Sequence, residues 1–173
     1  MEKQLEQITI CSMKETDIDF FPAAFSAQGW KKPQEQFISY YNQQQRGEIC
    51  VFVAESGGFP AGYVLLLPHA VHGPFAARGI PTIADFNILE KCQRAGIGSR
   101  LLDAAETAAA KEADEVCLGV GLHSGYGPAQ RLYVKRGYIP DGSGVWYQDK
   151  PLMPYTACIN DDNLVLYLSK RLR

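Results

Sequence analysis

Residues 88–99 read Ile-Leu-Glu-Lys-Cys-Gln-Arg-Ala-Gly-Ile-Gly-Ser, and this stretch connects two segments of different periodicity. The segment from Thr82 to Leu89, which overlaps its start, contains β-branched and aromatic residues and predicts a strand. The run after it, Ser99 to Lys111, has apolar residues at helical spacing and predicts a helix. A glycine-containing turn between a strand and a helix gathers backbone N–H groups where the helix dipole favours negative charge. The stretch therefore predicts a site for a phosphate or pyrophosphate.

Three known anion-binding loops have glycines at similar spacing, and the neighbouring residues separate them. A P-loop requires a lysine directly after its second glycine, and Gly98 is followed by Ser99. A Rossmann fingerprint requires glycine or alanine three residues past the second glycine, where this chain has Leu101. The third pattern, Gln/Arg-x-x-Gly-x-Gly/Ala, matches residues 93–98, which we call the glycine turn. Taken alone, the glycine turn is equally compatible with an ordinary strand-to-helix connection.

A second motif follows at residues 129–138, Ala-Gln-Arg-Leu-Tyr-Val-Lys-Arg-Gly-Tyr. One predicted helix and one predicted strand separate it from the glycine turn. The pair of motifs resembles the two signatures of the GCN5-related N-acetyltransferase (GNAT) family, the second of which is Ala-x-x-Leu-Tyr-x-x-x-Gly-Phe/Tyr. Residues 86–89 stand where that family has its fourth strand, and the resemblance extends from Ile8 to Leu168.

The predicted order of elements, βααββ followed by βαβαββ, indicates a mixed α/β protein with a single domain over residues 1–173. The family resemblance implies the arrangement of that domain. It implies a central mixed sheet, mostly antiparallel, which is flanked by helices and splayed between strands four and five.

The resemblance also implies that the co-substrate is acetyl-CoA. Its pyrophosphate would be bound by the backbone amides of Gln93, Arg94, Ala95, Gly96, Ile97, Gly98 and Ser99, with side-chain contacts from the first two. Its pantetheine arm would take main-chain hydrogen bonds from Ile88, Leu89 and Glu90. A backbone N–H near Ile88 would then polarise the thioester carbonyl.

Two side chains are candidates for proton transfer. Tyr133 lies in the second motif, and a phenol with an ordinary pKa of about 10 can protonate a departing thiolate. The alternative is that Tyr133 is a core residue of a short amphipathic helix. Asp85 is the candidate base on the fourth strand, on the same face as Asn87. Glu55, Glu90 and a chain of water molecules are alternatives to Asp85.

Aromatic residues near these elements are candidates for the acceptor pocket, although core packing is their default interpretation: Trp30, Tyr40, Tyr41 and Phe75. The sequence departs from the family pattern at Glu90, Cys92 and Tyr126, where proline, an aromatic residue and asparagine are frequent. Cys92 is interpreted as a small buried side chain rather than a reactive thiol. These departures lie outside the glycines of the turn and affect the acceptor chemistry.

No metal site is predicted. The pair His69 and His72 has no carboxylate or cysteine nearby in sequence, and these histidines, like His123, are expected to line the acceptor entrance instead. The pair Asp161 and Asp162 is expected to form a solvated turn before the last strand.

Composition restricts the class of partner. The net charge is −2 and there is no basic run, which argues against nucleic acid. The longest strongly apolar run lies around Tyr63 to Leu67, far short of the roughly 20 residues of a membrane helix. The five cysteines form no Cys-x-x-Cys pair and indicate a reducing, cytoplasmic setting. A homodimer is the assembly to expect.

Three functions are consistent with these observations. The first is an N-acyltransferase that moves an acetyl group from acetyl-CoA to the amine of a small molecule in a ternary complex. The second is a sensor or partner-binding module on the same fold that binds acyl-CoA without turnover. The third, acetylation of a protein N-terminus or lysine, lacks an identifiable peptide-recognition signature.

Overall fold

The computed structural model describes residues 7–173; residues 1–6 of the predicted domain lie outside the described residues. Within this range the chain forms four α-helices: α1 Asp17–Ala27, α2 Gln34–Gln45, α3 Ile97–Ala109 and α4 Gly127–Lys135. It also forms eight strands: β1 Ile8–Ser12, β2 Cys50–Ser56, β3 Phe59–Leu67, β4 Thr82–Ile88, β5 Glu115–Gly121, β6 Ile139–Tyr147, β7 Lys150–Pro151 and β8 Leu164–Arg171.

The strands are hydrogen-bonded to their neighbours in the order β1-β2-β3-β4-β5-β8-β6-β7. The β4–β5 pair is parallel, and the pairs β1–β2, β2–β3, β5–β8, β6–β8 and β6–β7 are antiparallel. The predicted class, a mixed and mostly antiparallel sheet with helices, is confirmed. The described chain forms two compact units: the first runs up to Leu66 and includes Asp85–Thr107, and the second comprises Leu67–Ala84 and Ala108–Arg173. The single domain stays a prediction.

The first unit contains the ladder of β1, β2 and β3 and the downstream half of β4. Gly62 allows β3 and β4 to approach closely, because a Cβ atom there would lie 2.6 Å from the carbonyl oxygen of Asn87. Aromatic side chains from α1, α2 and β3 form the buried centre of this unit: Phe21, Phe25, Phe37 and Tyr63. The apolar stripe predicted on the helix after the glycine turn is also buried at Leu101, Leu102 and Ala105.

The second unit contains the upstream half of β4 and strands β5 to β8. The parallel β4–β5 ladder joins Thr82 to Cys117 and Ile83 to Leu118. Strand β6 is irregular in its middle, where its register with β8 shifts between Pro140 and Val145. Gly142 within this irregular segment has a φ of +89°, a conformation that glycine adopts without strain.

Two helix boundaries differ from the sequence prediction. A helix is expected from Trp30, but α2 begins at Gln34, because a residue before a proline disfavours helical geometry and Pro33 is extended. Helix α3 begins at Ile97, two residues before the expected Ser99. In the part of the chain that the structure describes, no helix is long and apolar enough to cross a membrane.

Candidate functional site

The glycine turn follows β4 in the first unit. After Leu89 the chain forms a short 3-10 helix, Glu90–Cys92, and then turns into α3. Because α3 begins at Ile97, Gly98 is a buried residue of the first helical turn rather than a loop residue. The backbone N–H groups of a first helical turn point out of the helix end. The geometry therefore places them beside Gly96, the last residue before the helix.

Two residues of the glycine turn have left-handed backbone conformations, Arg94 at a φ of +63° and Gly96 at +81°. The side chains of residues 93–95 are exposed. A Cβ atom added at Gly96 would meet no atom of residues 7–173 within 4 Å. The backbone angle, rather than packing against the protein, therefore favours glycine at this position. The surface in front of the helix end is open to an anion.

The three residues predicted to contact the pantetheine arm use their main-chain groups within the first unit. The Leu89 N–H donates to the Ala61 carbonyl at 2.9 Å. The Glu90 N–H donates to Gln28 Oε1 at 3.1 Å, and Gln93 Nε2 donates to the Ile88 carbonyl at 3.4 Å. In two of these three hydrogen bonds the partner is a side chain, and an extended ligand could take the place of that side chain.

Gln28 at the end of α1 brings an unsatisfied donor to this region. Its Oε1 accepts from Glu90, which fixes the orientation of the amide, while its Nε2 is buried and has no hydrogen-bond partner among residues 7–173. A buried N–H without an acceptor costs about 1–3 kcal/mol. A ligand carbonyl placed along the end of β4 would remove this cost, so the residues present are compatible with an amide-containing chain such as pantetheine.

Asp85 lies in the middle of β4 with a φ of +40°, which is unusual for a residue other than glycine. Within residues 7–173 its carboxylate accepts hydrogen bonds from five side chains. Oδ1 accepts from Lys32 Nζ at 3.0 Å and Asn87 Nδ2 at 2.7 Å. Oδ2 accepts from Gln36 Nε2 at 2.8 Å, Tyr40 OH at 2.9 Å and Tyr63 OH at 2.6 Å. We call these six residues the Asp85 cluster.

The Asp85 cluster lies against aromatic rings of the first unit. Tyr63 is almost fully buried, and its ring centroid is 6.1 Å from that of Phe25 with the planes 84° apart. Lys32 Nζ lies over both rings, 5.6 Å from the Phe25 centroid and 5.8 Å from the Tyr63 centroid. Burial, and next the Asp85 charge, raise the pKa of Tyr63 and of Tyr40 far above the ordinary tyrosine value. Both phenols therefore stay protonated and act as donors.

A cavity of about 420 Å³ opens beside this cluster in the first unit, and its lining residues come from α1 and the segment after it: Pro22, Ser26, Gly29, Trp30, Lys31 and Lys32. Trp30 stacks on Phe25 at 5.7 Å between centroids. The predicted pocket residues are thus divided, since Trp30 lines the cavity, Tyr40 belongs to the Asp85 cluster and Tyr41 is a half-buried residue of α2. Phe75 lies in the second unit, buried against Ala70 and Cys117.

Tyr133 lies in the second unit, on α4. Its side chain is 5% exposed, and its ring packs edge-on against Tyr138 at 5.7 Å. Burial, followed by the charge of Tyr126, raises the pKa of Tyr133 well above its ordinary value. The phenol is therefore protonated at neutral pH, as a proton donor must be.

Tyr126, one of the three departures from the family pattern, forms a small cluster in the second unit. Its hydroxyl donates to Asp162 Oδ1 at 2.8 Å, and His123 Nε2 lies 3.0 Å from the same oxygen. Hydrogen bonds from His123 and Tyr126 lower the pKa of Asp162. Asp162 is thus a partner of these two side chains rather than only a turn residue.

The remaining predicted residues have ordinary surroundings. His69 is exposed, and His72 Nδ1 lies 3.0 Å from Asp149 Oδ2 in the second unit. Cys92 is half-buried. Glu55, an alternative base, forms an ion pair with Lys14. Among the described residues, no three His, Cys, Asp or Glu side chains come together in a way that could hold a metal ion.

The structure brings Tyr40, which the sequence analysis singled out separately, together with Asp85 and Asn87. It also adds Lys32, Gln36 and Tyr63 to them. Sequence reasoning missed these three residues because the pairs lie 22 to 53 positions from Asp85 and no motif connects them. Tyr63 is the clearest example, since it stands in an apolar strand where its hydroxyl has no apparent partner.

Comparison with known proteins gives a family match. The family model described as an acetyltransferase (GNAT) domain matches residues 47–140, more than half of the chain. No curated protein matches the chain by sequence.

Solved structures of low identity have the same fold. An acetyltransferase candidate from Salmonella typhimurium, solved with its cofactor acetyl-CoA, has a TM-score of 0.69 at 15% identity, covering 96% of this chain and 94% of the other. A spermidine N-acetyltransferase chimera from Vibrio cholerae and hSSAT has 0.68 at 15%, covering 96% of each. A ribosomal-protein-alanine N-acetyltransferase from Brucella melitensis has 0.68 at 18%, covering 94% of this chain and 99% of the other.

Proposed function

The chain belongs to the GNAT family of acetyltransferases, and we propose that it transfers the acetyl group of acetyl-CoA to the amine of a small molecule in a ternary complex. The observation that carries the proposal is the glycine turn, where Arg94 and Gly96 are left-handed directly before a 13-residue helix. This arrangement suits a bound anion, because backbone N–H groups and the helix dipole act at one exposed point.

We propose that the pyrophosphate is held by backbone amides of residues 93–99, with Arg94 adding a positive side chain that is exposed. The pantetheine arm is proposed to follow residues 88–90. Gln28 supports this placement, because its buried Nε2 lacks an acceptor and its Oε1 occupies the Glu90 N–H. The bound thioester would supply the activated acetyl group, and a backbone N–H near Ile88 would stabilise charge on its oxygen.

Two side chains are proposed to handle protons. Tyr133 is proposed to protonate the thiolate that leaves, and its burial supports this role by keeping the phenol protonated. Asp85 is proposed to take a proton from the incoming ammonium group, leaving the neutral amine that attacks the acetyl carbon. Its oxygens already accept five hydrogen bonds, so this role requires one donor to leave; Lys32 is the donor that carries a charge.

The small-molecule acceptor is proposed from the cavity and from one relative. A cavity of about 420 Å³ is of the size that binds small molecules, and a structural neighbour is a spermidine N-acetyltransferase. Within residues 7–173 the five cysteines form no disulfide, which is compatible with the proposed cytoplasmic location. The expected homodimer stays a prediction that light scattering would test.

The experiment is calorimetric titration of acetyl-CoA, followed by a thiol-release assay over a panel of amines. Gly96→Val is expected to abolish binding, because a β-branched residue disfavours the left-handed φ of +81° and its methyl groups would occupy the anion surface. Gly47→Val is the matched control, since Gly47 is also left-handed at +69° and a Cβ there meets no described atom within 4 Å. Equal binding by both variants would overturn the proposal.

A second candidate function is a sensor that binds acyl-CoA without turnover. The surroundings of Asp85 favour it, because five donors already bond to the carboxylate and an acceptor amine would have to displace one of them. A sensor would bind acetyl-CoA stoichiometrically and release no thiol with any amine of the panel.

A further inference from the structure

The ammonium group of Lys32 lies in a pocket with three walls. One wall is the Asp85 carboxylate, 3.0 Å from Lys32 Nζ. The other two are the rings of Phe25 and Tyr63, which meet almost at a right angle and lie under 6 Å from the same nitrogen. A carboxylate combined with aromatic faces is the chemistry that recognises an ammonium group. We call these three residues the ammonium pocket.

The walls and the occupant of the ammonium pocket belong to different kinds of structure. Phe25 is on α1, Tyr63 on β3 and Asp85 on β4, whereas Lys32 is in the irregular segment between α1 and α2. Lys32 also lines the cavity of about 420 Å³, so the cavity and the pocket share this residue. A molecule bound in the cavity would therefore lie next to the residue whose ammonium group fills the pocket.

Most of the hydrogen bonds that hold the Asp85 carboxylate in place do not depend on Lys32. Gln36, Tyr40, Tyr63 and Asn87 hold the carboxylate with four neutral donors, and these bonds do not involve the lysine. The left-handed φ of +40° at Asp85 is a cost to the strand. Such strain is typically found where a side chain must be aimed for function.

We propose that the ammonium pocket is the binding site for the primary ammonium group of the acceptor, and that Lys32 occupies it until the acceptor displaces it. The side chain of lysine ends in a butylammonium group, so the preferred acceptor is a small primary alkylamine with an unbranched chain next to the nitrogen. This inference rests on the proposed function only in identifying the bound amine as the acetyl acceptor. Binding of an ammonium group in the pocket does not depend on acetyl transfer.

The test measures the affinity of n-butylamine, as its cation at pH 7.5, for the wild-type protein and three variants. Lys32→Met keeps an unbranched stem but removes the charge, and we expect at least 10-fold tighter binding. Lys31→Met is the matched control at the preceding residue, which is exposed and lines the same cavity. The affinity of this variant for n-butylamine should stay within 3-fold of wild type. Adding Asp85→Asn to Lys32→Met should remove the gain, because asparagine tolerates a positive φ but carries no charge.

Titration with n-butanol separates ammonium recognition from filling of an apolar space. The inference is overturned if Lys32→Met binds n-butylamine no better than wild type, if the gain survives Asp85→Asn, or if n-butanol shows the same gain. Thermal unfolding of each variant confirms that it is folded. Should Lys32→Met fail to fold, Lys32→Gln keeps a neutral donor for Asp85 and is expected to show the same direction of change.

Acetyl-CoA titration of the same proteins distinguishes the two proposals. Tighter n-butylamine binding without any acetyl-CoA binding would support the ammonium pocket and overturn the proposed transferase. Acetyl-CoA binding without the gain in amine affinity would overturn the ammonium pocket alone.

Discussion

The glycine turn takes its residues from one continuous stretch, whereas the Asp85 cluster takes its residues from α2, β3, β4 and the segment before α2. The turn is defined by backbone angles, and the side chains of residues 93–95 are exposed. The cluster is defined by side chains that satisfy one carboxylate. We therefore expect the stability of the protein to tolerate most substitutions in the turn that keep its backbone conformation. In the cluster, the loss of any charged or donor group should change the stability.

The largest effect is expected for Asp85→Leu, which should lower the free energy of unfolding by about 4 kcal/mol. Leucine leaves several half-buried donors unpaired, including Lys32, and is strained at a φ of +40°. Asp85→Asn keeps the shape and tolerates the backbone, but its amide nitrogen cannot accept the bonds that one carboxylate oxygen accepts, so it should cost about 2 kcal/mol. Urea denaturation of both variants measures the difference. Equal losses would show that the cluster is not organised around the carboxylate.

The glycine turn is tested by Gly96→Asp against Gly96→Asn. Both residues tolerate the left-handed conformation, so both variants should have similar stability. The added charge should weaken acetyl-CoA binding by about 100- to 1,000-fold relative to asparagine, because two negative charges about 4 Å apart near a protein surface repel by up to about 4 kcal/mol. Calorimetry measures the ratio. A ratio near one would place the pyrophosphate elsewhere.

Tyr133→Phe extends the test to the second motif. We expect kcat to fall about 100-fold with the Kd for acetyl-CoA unchanged, since a general acid acts in the chemical step rather than in binding. Tyr138→Phe, the edge-on neighbour at 5.7 Å, is the control and should keep most of the activity. An equal loss in both variants would indicate that the hydroxyls serve packing.

The pH profile gives an independent test of Tyr133. The acid must be protonated, and burial raises its pKa above the ordinary value of about 10, so the active form is present at all lower pH values. Deprotonation of Tyr133 should therefore lower the activity only above about pH 10. A decline near neutral pH that disappears in Tyr133→Phe would contradict the raised pKa.

The parts of the fold that depend on local pattern could be predicted from the sequence. The strand, turn and helix around Gly96 are read from periodicity and glycine spacing, and the helix start is displaced by two residues because Ile97 and Gly98 join the first turn. The Pro33 boundary of α2 also follows from a local rule, although the prediction placed the start at Trp30. Errors of this kind shift the start of a helix along the sequence without changing the order of the elements.

The Asp85 cluster could be predicted only in part. The strand alternation places Asp85 and Asn87 on one face, and their side chains are 2.7 Å apart in the structure. The contact with Lys32 spans 53 positions and depends on how the segment after α1 packs, which no local rule describes. Gln28 is similar, since its unsatisfied Nε2 becomes visible only when the neighbouring strand is in place.

The smallest effect is expected for Tyr40→Phe, which removes the hydrogen bond donated to Asp85 and the one accepted from Gln36. It should lower the free energy of unfolding by about 1 kcal/mol, since Gln36 Nε2 keeps its other bond, to Asp85. Tyr41→Phe on the same helix is the control and should change it by less than about 0.5 kcal/mol.

Combining Tyr40→Phe with Asp85→Asn separates a cooperative cluster from a set of independent contacts. If the hydroxyl acts through the carboxylate 2.9 Å away, its removal should cost less in the Asp85→Asn protein, with a coupling energy of at least about 0.5 kcal/mol. Strict additivity would mean that the six residues are merely adjacent. In that case Lys32 would be held mainly by its own ion pair and by the two rings beneath it.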